Sequence, residues 1–181
     1  MQHTKISTFS VVVGDKTCNA KCPFCVSKMT YDVVHGSRYV NPKGNRRAWR
    51  NFGKACKLAS RQGVVTAMIT GKGEPTLFPQ EVSDYVEQLD AHGFPFIELQ
   101  TNGLRLVGND LDDYLQDWWD KGMTHIALSV VGWQNEANHQ IYCPHWKQGP
   151  DYEALISKLH GYNFTVRLCC ILAKGSYSHC G

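Results

Sequence analysis

The chain has no apolar run approaching the ~18 residues that a bilayer-crossing helix needs, so membrane insertion is not expected. Met1 to Ser10 lacks the basic-then-apolar pattern of a secretory signal, which makes a disulfide framework a poor explanation for the eight cysteines. Those thiols are expected to be reduced, cytoplasmic and available to metal. The net charge of +3 is too small to demand an acidic partner by itself, so any electrostatic argument rests on where the charges sit. No internal repeat, low-complexity tract or linker divides the sequence, and no pair of histidines has metal-ligand spacing. The chain of 181 residues, 43% hydrophobic and 19% charged, therefore reads as one packed α/β domain over 1–181.

Short β-rich runs alternate with helical patterns. The runs Phe9 to Val13, Val64 to Thr70, Phe96 to Thr101, Ile126 to Val131 and Thr165 to Leu172 are predicted strands. Asn45 to Gln62, Gln80 to Ala91, Asp110 to Lys121 and Asp151 to His160 are predicted helices, the last opened by Pro150 and Asp151. Alternation of this kind implies a parallel sheet, because parallel neighbours need crossover connections. The strands look apolar almost throughout, as expected where both faces are covered. Chemistry in such folds gathers at the carboxyl ends of the strands. Here those ends carry a cysteine loop, Gly71 to Pro75, Asn102 with Gly103, and Ser129, which argues for one shared site.

Cys18, Cys22 and Cys25 form a Cys-x3-Cys-x2-Cys run. Soft thiolates suit zinc or an iron-sulfur cluster. A structural zinc or a ferredoxin cluster wants a fourth ligand, and the loop has three, so an open coordination position is one reading. A site completed by a distant cysteine such as Cys143 or Cys180 is the other.

The run Cys18-Asn-Ala-Lys-Cys22-Pro-Phe-Cys25, with Thr70-Gly-Lys-Gly-Glu-Pro-Thr-Leu77 and Gln100-Thr-Asn-Gly103, resembles the radical S-adenosylmethionine superfamily from about Phe9 to Leu172. The resemblance implies a TIM-like (β/α) barrel, partial here with about five parallel strands. It implies a [4Fe-4S] cluster on Cys18, Cys22 and Cys25, with S-adenosylmethionine chelating the fourth iron. Reduction by an external donor such as flavodoxin or ferredoxin would yield a 5′-deoxyadenosyl radical that takes hydrogen from a substrate: a small metabolite, a peptide or an RNA base. By the same resemblance Phe24 lies near the adenine, and Gly71, Gly73 and Glu74 receive the methionine amino group. Ser129 and Asn102 sit near the ribose, and Arg167 suits the methionine carboxylate. Phe24 reads equally as loop packing, Ser129 and Asn102 as turn caps, and Arg167 as an edge position. Lys72 stands where many members have glycine. Barrels of the family usually have six strands, and Gly175 to Gly181 is too short for another β-α unit, so a truncated relative or a fragment is a further reading.

Lys43, Arg46, Arg47, Arg50, Lys54, Lys57 and Arg61 fall within roughly 100° of a helical wheel, opposite Ala48, Trp49, Phe52, Ala55, Cys56 and Ala59. This stripe is either a dock for an acidic electron donor or RNA, or a solvated face. Cys56 reads as packing. Cys143, Cys169, Cys170 and Cys180 lack the spacing of an auxiliary cluster, and adjacent Cys169 and Cys170 in a strand point to opposite faces. Two other functions remain open: a non-catalytic cluster-binding or regulatory protein, and a zinc-binding nucleic-acid module.

Overall fold

A computed structural model describes residues 7–29 and 49–171. Among these residues five strands form one all-parallel sheet in the order β1-β2-β3-β4-β5: β1 (Thr8–Val13), β2 (Thr66–Gly71), β3 (Phe96–Thr101), β4 (His125–Val130) and β5 (Thr165–Cys170). The helices are α1 (Val26–Met29), α2 (Trp49–Arg61), α3 (Pro79–Ala91), α4 (Asp112–Asp120), α5 (Asn135–Tyr142) and α6 (Tyr152–Gly161). Each strand pairs with its sequence successor, so the sheet has no point where strand order reverses. That is the progression of a partial (β/α) barrel and not of a doubly wound sheet. No helix among the described residues is long and apolar enough to cross a membrane.

The predicted elements are present, with shifted ends. Val64 belongs to the turn after α2, where its N–H donates to the Ala59 carbonyl at 3.2 Å, so β2 begins at Thr66. α4 begins at Asp112 because Leu111 is its N-cap. Asp151 caps α6, its carboxylate accepting from the Ala154 N–H at 3.0 Å. Ile171 still donates to the Val130 carbonyl at 3.0 Å past the end of β5, while Leu172 lies outside the described residues. So do 45–48 of the predicted first helix. The short helices α1 and α5 were not predicted, since neither is long enough to show a helical period.

The expectation that both sheet faces are covered is corrected by the burial pattern. Val11, Val13, Ala67, Ile69, Ile97, Leu99, Ile126 and Leu128 point toward the helices and are buried. On the other face Val12 is an exposed hydrophobic, and β5 has no buried position on either face. The face away from the helices carries Ser10, Thr70, Glu98, Gln100 and Ser129. This inner face is where a barrel places its chemistry. On the helix side, Phe9 stacks on Phe94 at 5.6 Å between ring centroids and meets Phe52 of α2 at 5.9 Å. Cys56 and Ala59 are buried with them, as the packing reading of Cys56 required. Arg50, Lys54, Lys57 and Arg61 face solvent, and Lys43, Arg46 and Arg47 lie outside the described residues.

Candidate active site

The cysteine loop follows β1 and is held at both ends by backbone bonds. Asp15 begins it with a turn in which its carboxylate accepts from the Thr17 N–H at 2.7 Å. The Lys21 N–H donates to the carbonyl of Tyr142 at the end of α5, at 2.9 Å. The Lys28 N–H donates to the Cys25 carbonyl at 3.0 Å, so the third cysteine sits at the entry to α1.

The second loop, Gly71 to Glu74, lies directly against the first. The Glu74 N–H donates to the Thr17 carbonyl at 2.9 Å, one residue before Cys18. A Cβ on Gly73 would stand 2.0 Å from that carbonyl oxygen, so only glycine lets the two backbones approach. This is the physical reason for the glycine, and it lies within the protein as well as toward any ligand.

Glu74 is 3% exposed, and its carboxylate joins the ends of two strands, β2 and β3. Oε1 accepts from the Thr76 N–H at 3.0 Å, the Thr76 hydroxyl at 2.7 Å and the Thr101 hydroxyl at 2.6 Å, and Oε2 accepts from the Asn102 N–H at 2.9 Å. The structure thus gives Glu74 a holding role that the sequence reading did not include. The loop's backbone is left as the larger part of the surface that could meet an ammonium group.

Asn102 extends the same network. Its Nδ2 donates to Asn19 Oδ1 at 2.8 Å and lies 3.8 Å from the Cys18 sulfur, while its Oδ1 accepts from the Leu104 N–H at 3.0 Å. Its carbonyl accepts from the Tyr152 hydroxyl at 2.6 Å. Asn102 therefore does cap a turn, as one of the two sequence readings held, and it also touches the cysteine loop. Gly103 follows with a φ of +73°, a left-handed turn that favours glycine.

Cys18, Cys22, Cys25, Phe24, Gly71, Gly73, Glu74, Asn102 and Ser129 all line one cavity of about 360 Å³. Nine of the ten residues singled out in the sequence are thus brought together. Arg167 is the exception and does not line that cavity. It donates through Nε to Glu98 Oε2 at 2.8 Å and through Nη2 to Oε1 at 2.5 Å, and its Nη1 reaches the Cys169 sulfur at 3.2 Å. Glu98 is only 8% exposed, so the guanidinium answers a buried charge on the next-but-one strand instead of lining the cavity. Asn19, Thr101 and Tyr142 were missed. Asn19 and Thr101 lie inside motifs already identified, whereas Tyr142 comes from a helix with no sequence signal.

Burial raises the Cys18 thiol above its ordinary range and pushes Cys22 up to about 11, the neighbouring thiols adding to both shifts. Without a metal, Cys18 and Cys22 favour the neutral thiol. A cationic centre reverses that preference, since a coordinating thiol is deprotonated by the metal's own charge. Among the described residues no three His, Cys, Asp or Glu side chains converge tightly enough to hold a single metal ion. A cluster fits a looser set, because each thiolate binds a different iron. Cys143 is fully buried and lines no cavity described here, and Cys180 lies outside the described residues. Cys170 faces a separate apolar cavity of about 150 Å³ beside Trp133 and Ile156, on the helix side of the sheet, whereas Cys169 sits with Arg167 on the other face.

Fold and site together define a parallel β/α protein that gathers three thiols and a glycine-rich loop at the carboxyl edge of its sheet. The family model described as Radical SAM superfamily matches residues 15–173, and the chain belongs to that superfamily. Its members generally bind a [4Fe-4S] cluster and S-adenosylmethionine. No curated protein matches the chain.

Proposed function

We propose that this chain is a radical S-adenosylmethionine enzyme. The observation that carries the reading is the single cavity shared by Cys18, Cys22, Cys25 and the Gly71–Glu74 loop, with the two loops bonded through Thr17. Cys18, Cys22 and Cys25 would hold the [4Fe-4S] cluster. The chemistry that cluster and S-adenosylmethionine supply when bound is one-electron cleavage of the carbon-sulfur bond to the 5′ carbon, giving methionine and a radical able to take hydrogen from a substrate.

The chain's own residues bind, orient and enclose. Carbonyls of the Gly71–Gly73 backbone accept from an ammonium group, with Glu74 fixing their position and adding negative charge behind them. Phe24 offers an apolar ring beside the third cysteine for a purine. Ser129, the penultimate residue of β4, offers a hydroxyl to a sugar. A substrate would reach the cavity along the inner face, past Gln100 and Ile171.

Anaerobic reconstitution followed by chemical reduction tests this. Expected are about four irons per chain, loss of the cluster in Cys18→Ala, Cys22→Ala and Cys25→Ala, and 5′-deoxyadenosine detected by chromatography. Stoichiometric zinc without acid-labile sulfide supports the zinc-binding reading instead. A cluster confirmed spectroscopically as reduced and binding ligand, yet yielding no 5′-deoxyadenosine, supports the regulatory one.

A further inference from the structure

Among the residues of all five strands the single lysine or arginine is Arg167 and the single acid is Glu98. Both stand on the inner face, bonded to each other. We propose that this pair anchors the substrate: the edge of the guanidinium that Glu98 leaves unused binds a carboxylate group of the substrate at the floor of the thiol-lined cavity. The inference rests on the proposed function and deepens it, since it names the chemical class of the substrate.

Three observations carry it. First, donors are left over. A guanidinium has five N–H groups. Glu98 takes one from Nε and one from Nη2, and the Cys169 sulfur takes one from Nη1 at 3.2 Å. One N–H on each of Nη1 and Nη2 remains. The edge between these two nitrogens accepts a carboxylate in bidentate fashion, and a thiol sulfur is too weak an acceptor to hold it against one. The Arg167 side chain is 50% exposed, whereas Glu98 is buried, so the cation and not the anion of the pair is presented to the inner space.

Second, the site is pre-set and suits a single negative charge. Glu98 fixes the guanidinium through two bonds, so little side-chain entropy is left to lose on binding. A phosphate monoester, with a charge of about −1.5 to −2 at neutral pH, would be repelled by Glu98 with no second lysine or arginine on the strands to balance it. A nucleic-acid strand needs a track of cations, and the strands supply one.

Third, register sets the reach. Gln100 pairs with Ala127 and Ala127 with Arg167, so Gln100 and Arg167 share one row, about 10 Å apart at the usual strand spacing. Gln100 lines the cavity, and so does Ser129, the next inner-face residue along β4 after Ala127. Ala127 is 1% exposed although it stands outside the apolar core formed by the described residues. Its methyl group lies under the Arg167 side chain, which crosses from β5 to reach Glu98 on β3. A carboxylate on the guanidinium thus places carbons a few bonds away beside Gln100 and Ser129, inside the cavity.

The test uses cluster-loaded, oxidised protein carrying isotope-labelled arginine, with the guanidinium carbon signals followed by NMR. Sodium acetate, acetamide and sodium phosphate are titrated separately at constant ionic strength, acetate standing for the carboxylate. The Arg167 signal is assigned by its loss in Arg167→Lys and by its shift in Cys169→Ser. Acetate is expected to shift it saturably, by about tenfold more than acetamide does at equal concentration, and with a lower half-saturation than phosphate. The signals of Arg50 and Arg61, exposed on α2, are expected to drift without saturating and measure unspecific association. A saturating amount of S-adenosylmethionine is expected to leave the acetate response in place. An Arg167 shift that does not saturate overturns the inference, as does an equal response to acetamide or tighter binding of phosphate. Loss of the acetate response on adding S-adenosylmethionine returns Arg167 to the cofactor and overturns it too. Reduction of the same protein with S-adenosylmethionine separates the two readings. Formation of 5′-deoxyadenosine without an acetate response sinks this inference alone, whereas an acetate response without 5′-deoxyadenosine overturns the functional reading and the substrate role with it.

Discussion

Replacing Glu74 by Gln keeps the shape of the side chain and removes its charge and one acceptor. Glu74 accepts from Thr76 N–H, Thr76 Oγ1 and Thr101 Oγ1 on one oxygen, and from Asn102 N–H on the other. Two of these donors are backbone N–H groups that cannot reverse. If the glutamine oxygen takes the Oε1 position, its amide faces the Asn102 N–H. If it takes the Oε2 position, its amide faces the Thr76 N–H. Either way one buried donor loses its acceptor, at a cost of about 1 to 3 kcal/mol, and the remaining bonds lose their charge assistance. A total of about 2 to 4 kcal/mol is expected. For a domain of this size that lowers Tm by roughly 4 to 16 °C. Thermal unfolding of anaerobic, cluster-loaded protein by circular dichroism measures it, with ligand titration run well below the transition. Thr101→Val in the same background should be non-additive, because both changes act on one carboxylate. A Tm unchanged by the glutamine, with ligand affinity lost, would refute the holding role and return Glu74 to direct ligand contact.

Two other expectations follow from the same contacts. Arg167→Ala leaves the buried Glu98 carboxylate without its partner, so a loss of about 1 to 3 kcal/mol is expected, below the full cost of breaking a buried pair because Arg167 itself is half exposed. S-adenosylmethionine affinity is expected to hold, and a tenfold loss of affinity at unchanged stability would place Arg167 at the ligand after all. In the metal-free protein, burial raises the Cys22 thiol from its ordinary 9.0 to about 11, so the unfolded chain releases that proton first. The thiol's contribution to stability is therefore fully present below about pH 9 and is lost as pH rises toward 11. Urea unfolding across that range should show wild type falling faster than Cys22→Ser, and parallel pH profiles would contradict the shift.

Much of this protein was legible in one dimension because its chemistry is carried by local runs. Cys18, Cys22 and Cys25 lie within a single loop, and glycines at 71 and 73 mark a close backbone approach wherever they occur. Periodicity located the five strands, because parallel strands are short, apolar and separated by helices with a clear face. Nine of the ten candidate residues fell at strand ends or in the loops after them, and in a parallel sheet all those ends lie along one edge. The site's existence followed from order along the chain.

Partnership between distant residues did not. Nothing in the sequence ties Arg167 to Glu98, 69 positions away, yet two strands over on one face the two charges meet. Glu74 looked like a ligand contact because the donors that saturate it arrive from β3 and from the turn that follows Glu74 itself. Tyr142, on a helix too short to show a period, closes the cysteine loop from outside its own motif. Local spacing determined what kinds of groups the site would contain, because a few adjacent residues suffice to bring three thiols near one another. Tertiary structure decided which of those groups remain available, because a buried charge or donor is claimed by the partner the fold brings to it.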